Sequence, residues 1–291
     1  MMVHALLPPG VELTANDYGR RFIEVNHPRV SARIALQGAQ VIACQPQDQR
    51  PLLWFSQTDP CRPDTALRGG IPLCWPWFAN DRPGPAHGIA RTSDWHLTRA
   101  HADQEGVRLV LTLPEEEISR QLPDEHWALE VEFQLDTALA VTLRTTNTGS
   151  VAQPLSQALH SYLPTEDIAG TSVHGLDGTQ YMDKLEEGAN FTQSGAVQFL
   201  GEVDRIYFGT RADILVHDGS DQLLIQRSGS NSVVVWNPWI EKSRQLSQFP
   251  PQGYLGMVCI EAANAGPDSR MLQPGECHAL STRISRPVAG P

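Results

Sequence analysis

A two-residue alternation of apolar and polar side chains constrains the fold of this chain more than any other feature. In ALEVEFQ (128–134), Leu129, Val131 and Phe133 alternate with polar residues. Successive side chains of a β-strand point to opposite faces, so this pattern predicts a strand with one buried face. The same alternation, or a short β-rich run, recurs at residues 30–36, 107–113, 139–147, 214–218, 223–226, 233–236 and 257–261. The chain is therefore expected to consist mainly of strands.

The sequence offers little that would form helices between these strands. EEEISRQL (115–122) is the best candidate, and it is long enough for only a turn or two. Polar turn signals such as NTGS and HDGS separate the strands instead. Strands without intervening helices favour antiparallel sheets, so we predict an all-β fold, a large antiparallel β-sandwich. No composition break or long linker divides the chain, which predicts one domain over residues 1–291.

Composition and charge argue against several classes of partner. The 291 residues include 33 acidic and 22 basic side chains, a formal net charge of −11. Nucleic acids and anionic membranes attract basic surfaces, so neither is an expected partner. No apolar run approaches the ~18 residues that span a bilayer, and no leader-like segment opens the sequence. We expect a cytoplasmic protein, either a monomer or a weak homodimer, whose partner is a small molecule.

Motifs for cofactors, metals and nucleophilic catalysis are missing from the sequence. It has no P-loop, no GxGxxG dinucleotide motif, no GxSxG nucleophile elbow and no HExxH zinc motif. The five cysteines form no CxxC pair, and the ten histidines form no HxH or HxxxH pair. We therefore expect chemistry that needs neither a cofactor nor a metal.

Residues 68–91, RGGIPLCWPWFANDRPGPAHGIAR, concentrate rigid, aromatic and cationic side chains. Four prolines restrict the backbone, which predicts a rigid connection rather than a central strand. Gly69 and Gly70 permit unusual backbone angles or the close approach of a ligand. Three arginines against one aspartate give the stretch a formal net charge of +2. Arg68 and Arg91 are suited to bind phosphate or carboxylate, and the aromatic rings could pack against a sugar or fill one end of the sandwich.

Two further residues stand out as a candidate acid and base. His160 lies within the strand-like run QALHSYL (157–163), and Glu261 follows apolar residues in GMVCIEAAN (256–264). A carboxylate in such a position must be solvated, paired or functional, because an unpaired buried charge is costly. A histidine in a strand is more often a packing or surface residue. The spacing leaves open whether the two side chains meet.

Six segments together resemble a known family. They are RGGIPLCWPWF (68–78), HGIAR (87–91), LHSYL (159–163), DRIY (204–207), VVWNPW (234–239) and CIEAAN (259–264). They occur in the order found in glucose-6-phosphate 1-epimerases, the hexose-6-phosphate mutarotases of the galactose-mutarotase-like group. The resemblance spans about 200 residues and implies a galactose-mutarotase-like supersandwich, in agreement with the strand pattern.

The resemblance implies a reaction and two catalytic residues. Glu261 would be the general base that takes the proton of the anomeric hydroxyl, and His160 would be the general acid that protonates the ring oxygen. The ring would open, the C1–C2 bond would rotate, and the aldehyde would close again to the other anomer. This isomerisation requires no metal and no redox cofactor.

The resemblance also implies the residues that bind substrate. Asp204 would accept hydrogen bonds from sugar hydroxyls, and His87 would line the pocket. Arg68 and Arg91 would hold the phosphate of a hexose 6-phosphate, with glucose 6-phosphate as the first choice of substrate. Some relatives have a glutamine directly before the His-Gly pair, where this chain has Ala86, so one ligand contact is expected to be missing.

Other functions stay open at the level of sequence. One is a 1-epimerase for an unphosphorylated aldose, which would leave the two arginines without a partner. Another is a non-catalytic sugar-phosphate-binding protein on the same fold. A third is a glycoside hydrolase or lyase, which would need two apposed carboxylates, and Asp204 and Glu261 are the attractive pair for it.

Overall fold

The computed structural model describes residues 7–219 and 221–287, and strands form nearly all of the regular structure there. In chain order they begin with β1 (Val11–Ala15), β2 (Arg21–His27), β3 (Val30–Ala35), β4 (Gln40–Pro46), β5 (Leu73–Cys74), β6 (His96–Asp103), β7 (Gly106–Leu113), β8 (Trp127–Leu135), β9 (Ala138–Asn147), β10 (Gln153–Leu155), β11 (Gln157–Leu159) and β12 (Tyr162–Pro164). They continue with β13 (Thr171–His174), β14 (Gln180–Asp183), β15 (Ala189–Thr192), β16 (Val197–Gln198), β17 (Val203–Phe208), β18 (Ile214–Asp218), β19 (Asp221–Ser228), β20 (Ser232–Asn237), β21 (Met257–Asn264), β22 (Arg270–Leu272) and β23 (Cys277–Ser285). The α-helices in these ranges are α1 (Glu115–Gln121) and α2 (Trp239–Gln245).

Two large antiparallel sheets organise the described residues. The first has nine strands in the order β16-β13-β18-β19-β23-β9-β8-β7-β6. The second has eight strands, in the order β15-β14-β17-β20-β21-β11-β5, with β12 also paired to β21. A four-stranded meander of β1 to β4 and the pair β10-β22 complete the sheets. The predicted all-β fold with antiparallel sheets is confirmed.

The main core contains side chains from both large sheets. Leu129, Val131 and Phe133 of β8 are buried, as the alternation in the sequence predicted. Val258 and Ile260 of β21, in the other large sheet, belong to the same apolar cluster. Side chains that interdigitate between two sheets in this way form the core of a β-sandwich.

Strand β21 carries a carboxylate in a mainly apolar segment that is buried over its whole length. Val258 and Ile260 enter the main core, whereas Met257 and Cys259 pack in a separate cluster. Because side chains alternate along a strand, Glu261 lies on the same face as this second pair. Its exposed fraction is only 1%. The sheet therefore presents a buried carboxylate on the face turned away from the main core.

The structure confirms the predicted strands and the short helix at 115–121, and it adds further strands and a second helix that the sequence pattern did not indicate. Helix α2 has only seven residues, too few for a helical stripe to stand out in the sequence. It follows Asn237, whose Oδ1 accepts a hydrogen bond from the Trp239 amide at 2.9 Å. The proline-rich stretch contains β5, which lies at the edge of its sheet, so the prediction that this stretch would not form a central strand is also confirmed.

Candidate active site

Neighbouring strands of the eight-stranded sheet bring distant parts of the sequence together. Asp204 of β17 is opposite Trp236 of β20, and Val234 of β20 is opposite Glu261 of β21. His160 lies in the short break between β11 and β12, both of which pair with β21. The antiparallel register thus brings Asp204, Glu261 and His160 from three separate segments to one part of the sheet.

His160 and Glu261 are in direct contact. Nε2 of His160 lies 3.3 Å from Oε1 of Glu261. The second carboxylate oxygen, Oε2, and the second ring nitrogen, Nδ1, are both buried and have no hydrogen-bond partner in residues 7–219 and 221–287. A buried polar atom without a partner costs about 1–3 kcal/mol, so such atoms mark places where a polar ligand would bind.

Burial moves the pKa values of the two groups in opposite directions. Desolvation raises the pKa of Glu261 well above its ordinary value, and the nearby Asp204 charge raises it further, while Lys184 lowers it. Desolvation lowers the pKa of His160 well below its ordinary value, and His87 and Arg91 add to this effect. Both shifts disfavour the charged form of the group concerned. The carboxylate is therefore a strengthened base, and the imidazolium is a strengthened acid.

Aromatic rings hold the imidazole of His160 in place. Tyr162 stacks on it, with ring centroids 4.9 Å apart and an interplanar angle of 13°. Trp236 and His87 contact it edge-on, with centroids at 5.9 Å and 5.6 Å. This packing on several sides leaves the ring little freedom to turn away from Glu261.

Asp204 forms an ion pair with a lysine that sequence reasoning missed. Nζ of Lys184 lies 3.3 Å from Oδ2 of Asp204, and the Lys184 amide donates to the Asp204 carbonyl at 2.9 Å. The ammonium also lies 5.6 Å from the ring centroid of Phe78. Burial raises the pKa of Asp204, and Lys184 opposes this shift. Lys184 thereby favours the ionised, hydrogen-bond-accepting form of Asp204.

The aromatic residues of the 68–91 stretch divide between the core and the pocket. Trp75 and Trp77 are buried in the main core, where their indole nitrogens donate to Thr145 Oγ1 and to the Pro85 carbonyl. Of the two interpretations left open by the sequence, these residues follow the packing one. Phe78 instead lines the pocket.

The paired glycines before these aromatics serve backbone packing. Gly70 has φ +64°, and a Cβ there would lie 2.1 Å from the Val41 carbonyl oxygen. At Gly69, with φ +113°, a Cβ would lie 2.6 Å from Phe55 Cα. Both positions therefore require glycine because the chain itself approaches closely. This packing fixes the start of the stretch, where Arg68 projects.

His87 is an uncharged hydrogen-bonding group. Its Nδ1 accepts from the Ala79 amide at 3.3 Å, so the neutral ring has its proton on Nε2. Burial, with the Arg91 charge second, lowers the pKa of His87 to about 3. The following Gly88 has φ +74°, and a Cβ there would lie 2.0 Å from the Trp75 carbonyl oxygen. The His-Gly pair thus locks this turn against the preceding strand.

Arg68 and Arg91 supply positive charge at the pocket. Nη1 of Arg68 donates to the Tyr162 hydroxyl at 3.4 Å, and its Nε donates to the Ser247 carbonyl at 3.3 Å. The Arg91 guanidinium donates to the Ala86 carbonyl. In the described parts of the chain, neither guanidinium has a carboxylate oxygen within 4.0 Å. Their charges are consequently available to an anionic ligand.

The six residues predicted from the sequence line one pocket of about 190 Å³. They are Arg68, His87, Arg91, His160, Asp204 and Glu261. Whether each has its predicted catalytic or binding role stays a prediction. In the described residues, no group of three or more His, Cys, Asp or Glu side chains is placed to hold a metal ion.

Four aromatic or charged residues of the pocket escaped sequence reasoning, namely Tyr162, Lys184, Trp236 and Lys242. Tyr162 had a usable signal, since it is two residues after His160 in a strand-like run. Trp236 lies within one of the segments that resemble the family, but it had no assigned role. The two lysines come from an ordinary polar segment and from α2, and nothing in their local sequence marks them.

Comparisons with known proteins identify the family of this chain. A model of the aldose 1-epimerase family matches residues 21–285. An Escherichia coli K12 protein provisionally named glucose-6-phosphate 1-epimerase is 32% identical over 270 residues, which cover 91% of this chain and 90% of that protein. A Salmonella typhimurium protein with the same provisional name is 34% identical and is covered to 83% by the match, which spans 84% of this chain.

A solved structure gives the same answer for the fold. The crystal structure of a protein from Salmonella typhimurium, provisionally described as a mutarotase, superposes with a TM-score of 0.88. The superposition covers 96% of this chain and 94% of that one, at 29% sequence identity. In the part of this chain that the structure describes, no helix is long and apolar enough to cross a membrane. The chain belongs to the aldose 1-epimerase family.

Proposed function

We propose that this protein is an isomerase that interconverts the α and β anomers of a hexose 6-phosphate, with glucose 6-phosphate as the preferred substrate. The observation that carries the proposal is the contact between His160 and Glu261, 3.3 Å apart, in a pocket that also contains Arg68 and Arg91. Similarity to proteins provisionally named glucose-6-phosphate 1-epimerases supports the same reaction.

The chemistry follows from the positions of one donor and one acceptor. The anomeric hydroxyl oxygen and the ring oxygen are bonded to the same carbon, so two neighbouring side chains can reach both. Glu261 takes the proton from the anomeric hydroxyl while His160 gives a proton to the ring oxygen, and the C1–O5 bond breaks to give the open-chain aldehyde. After rotation about C1–C2, the same two proton transfers run in reverse and close the ring.

This cycle requires the pair to hold one transferable proton. Burial favours the form with protonated Glu261 and neutral His160, and transfer of that proton across the 3.3 Å contact gives the reactive form with ionised Glu261 and protonated His160. The raised pKa of Glu261 and the lowered pKa of His160 widen the pH range in which the pair holds this single proton. The catalyst therefore returns to its starting state after each turnover without help from solvent.

The remaining pocket residues fit a phosphorylated sugar. Arg68 and Arg91 have no carboxylate partner in the described residues, and a phosphate group would neutralise both. Lys242 of α2 lines the same pocket and adds a third cation. Asp204 would accept hydrogen bonds from sugar hydroxyls, and His87 would donate one from Nε2. A neutral aldose would leave the arginines without a counter-charge, which favours the phosphosugar.

We further propose a reducing compartment, such as the cytoplasm, as the location of the protein, and a monomeric or weakly dimeric state. All five cysteines are free thiols, and Cys44, Cys74 and Cys259 are buried where they act as small apolar residues.

Two-dimensional exchange NMR on equilibrated glucose 6-phosphate tests the proposed reaction. Cross-peaks between the α and β anomeric protons should appear at short mixing times with the wild-type protein and should vanish with Glu261→Gln. Exchange that is no faster with the protein than in buffer alone would reject the proposal.

A further inference from the structure

A second cluster of positive charge lies away from the catalytic pocket. Arg211, Arg227 and Arg270 line a cavity of about 280 Å³, together with His278 and the turn 228–231. None of these residues lines the catalytic pocket. Three guanidinium groups thus converge on one cavity of a chain with a formal net charge of −11.

The acidic residues nearby balance only part of this charge. Arg270 pairs with Asp268 at 2.9 Å. In residues 7–219 and 221–287, neither Arg211 nor Arg227 has a carboxylate oxygen within 4.0 Å. His278 adds no charge near neutral pH, because burial and the neighbouring Arg270 lower its pKa. Two guanidinium groups are therefore left without a directly paired counter-charge, since the Asp213 and Asp268 charges act on Arg227 only from beyond 4.0 Å.

Arg227 is the most constrained member of the cluster. Its Nη1 donates to the Ser232 carbonyl at 2.8 Å, and its Nη2 donates to the Ala212 carbonyl at 3.0 Å, so the side chain also ties two loops together. Its Nε is buried and has no acceptor in the described residues. Burial lowers the pKa of Arg227 to about 10. Arg227 is half-buried, and a guanidinium withdrawn from water is normally paired with an anion, which the loop contacts alone do not provide.

The wall of the cavity is rigid. Gly229 has φ +77°, and a Cβ there would lie 1.8 Å from the Ala279 carbonyl oxygen. The turn is therefore packed against β23 at backbone distance. Oδ1 of Asn231 accepts a hydrogen bond from Arg211 Nε at 2.5 Å, and the backbone N–H of Asn231 donates one to Asp268 Oδ2 at 2.8 Å. These contacts hold the arginines around the cavity before any ligand arrives.

We propose that Arg211, Arg227 and Arg270 form a second anion site that binds a phosphate group, either free or carried by a small phosphorylated molecule. A phosphate monoester has a charge of about −1.5 to −2 at pH 7, which matches the two unbalanced guanidinium groups. The cavity is comparable in volume to the catalytic pocket, at about 280 Å³ against about 190 Å³. It therefore has room for a phosphate group and part of the molecule attached to it.

Amide NMR of the full-length protein tests this site independently of activity. Inorganic phosphate is titrated against sodium chloride of equal ionic strength, and the amide signals of residues 229–231 are followed separately from those of residues 87–91. We expect saturable shifts at 229–231 with phosphate alone. A parallel titration with glycerol 3-phosphate distinguishes the two sources, because tighter binding of the monoester assigns the site to phosphorylated molecules and equal binding assigns it to free phosphate.

Three variants complete the test. Arg227→Gln should raise the Kd measured at 229–231 by about tenfold or more, since it removes a charge-assisted contact. Arg211→Ala should also raise it, and this exposed residue can be removed even if Arg227→Gln fails to fold. Arg99→Ala, on the exposed face of β6, is the control and should leave this Kd unchanged. Two results would overturn the proposal: no shift beyond that caused by chloride, or a Kd in both cluster variants equal to that of the wild type. The arginines would then serve only to link the loops.

Discussion

Burial of Glu261 is the residue-level property on which the proposed chemistry depends. A carboxylate with 1% exposure, one unpartnered oxygen and a histidine at 3.3 Å is a poor structural element, because it keeps an ionisable group out of water. The same surroundings strengthen it as a base. The burial that favours catalysis at this position therefore lowers the stability of the fold.

Glu261→Gln should abolish most of the activity. The amide has nearly the same shape but cannot take a proton, and loss of a general base typically lowers the rate by about 10²–10⁴-fold. We expect kcat for anomer exchange to fall by this factor with an unchanged circular dichroism spectrum. A kcat within a factor of two of the wild-type value would contradict the assignment of Glu261 as the base.

The same variant should stabilise the protein, and increasingly so at higher pH. Because the pKa of Glu261 is raised in the folded state, the folded protein keeps the proton that the unfolded chain loses as the pH rises above about 4.5. Stability from this group is complete below that pH and is lost as the pH rises through the folded pKa. The glutamine of the variant cannot ionise, so the variant does not lose this part of its free energy of unfolding as the pH rises.

Thermal unfolding measures this effect. The Tm of Glu261→Gln minus the Tm of wild type should increase between pH 5 and pH 8 by at least about 2 °C, the shift that about 1 kcal/mol produces in a chain of this size. Glu12→Gln, at an exposed position on β1, serves as the control. A Tm difference that stays constant over this range would show that Glu261 is not held with a raised pKa.

Lys184 gives a further residue-level prediction. Replacing it by methionine removes the ammonium that lies 3.3 Å from Asp204 and that opposes the raised pKa of Asp204. More Asp204 should then be protonated at a given pH, so the acidic limb of kcat/KM should move to higher pH, and Lys184→Arg should restore most of it. A uniform loss of kcat/KM at every pH would indicate a purely structural lysine.

At the scale of elements, close backbone packing in the turn after β5 fixes the position of His87, the histidine proposed to bind substrate. Gly88 and Gly178 have nearly the same φ, +74° and +73°, but very different surroundings. A Cβ at Gly88 would lie 2.0 Å from the Trp75 carbonyl oxygen, whereas nothing lies within 4 Å of one at Gly178. The two positions therefore separate backbone strain from steric conflict.

Gly88→Ala should destabilise the protein much more than Gly178→Ala. The shared φ costs each variant about 1 kcal/mol, a Tm loss of about 2–4 °C. The clash at Gly88 adds to this loss and displaces His87, so kcat/KM should fall in Gly88→Ala alone. Equal Tm values and equal activities in the two variants would contradict the proposed packing of this turn.

Sequence reasoning worked for elements wherever the pattern was long and local. The strands β3, β7, β8 and β9 bury one face over six to ten residues, so a period of two is visible in the sequence. Helix α2 is as short as α1, with seven residues, but it has one glutamate in its first turn where α1 has three, so its local sequence carries no comparable helix signal. The contact between His160 and Glu261 depends on the pairing of β11 and β12 with β21, about one hundred residues away, and spacing alone could not reveal it.

At the scale of the whole molecule, an acidic chain carries a cationic pocket. The formal net charge is −11, yet Arg68, Arg91, Lys184 and Lys242 line the catalytic pocket. A sugar phosphate, the proposed substrate, would be repelled by the net charge of the chain and attracted at the pocket. Of these four cations, Lys184 alone forms an ion pair with a carboxylate in the described residues, that of Asp204. The electrostatic contrast therefore favours phosphorylated over neutral sugars.

Arg91→Ala should reveal this contrast in the kinetics. KM for glucose 6-phosphate should rise by about tenfold or more, because a charge-assisted contact with phosphate is lost, whereas the small rate on free glucose should not change. Arg99→Ala, which removes an exposed arginine of β6, should alter neither substrate's KM. An equal loss on both sugars would mean that Arg91 has a structural role.

Magnetisation transfer between the anomeric protons tests the proposed reaction most directly, with glucose 6-phosphate and glucose compared at equal concentrations and with the same amount of protein. We expect protein-dependent exchange that is much faster for glucose 6-phosphate and that is lost in Glu261→Gln. Exchange that is equal for the two sugars would contradict phosphate recognition, and no acceleration for either sugar would contradict the acid–base assignment of His160 and Glu261.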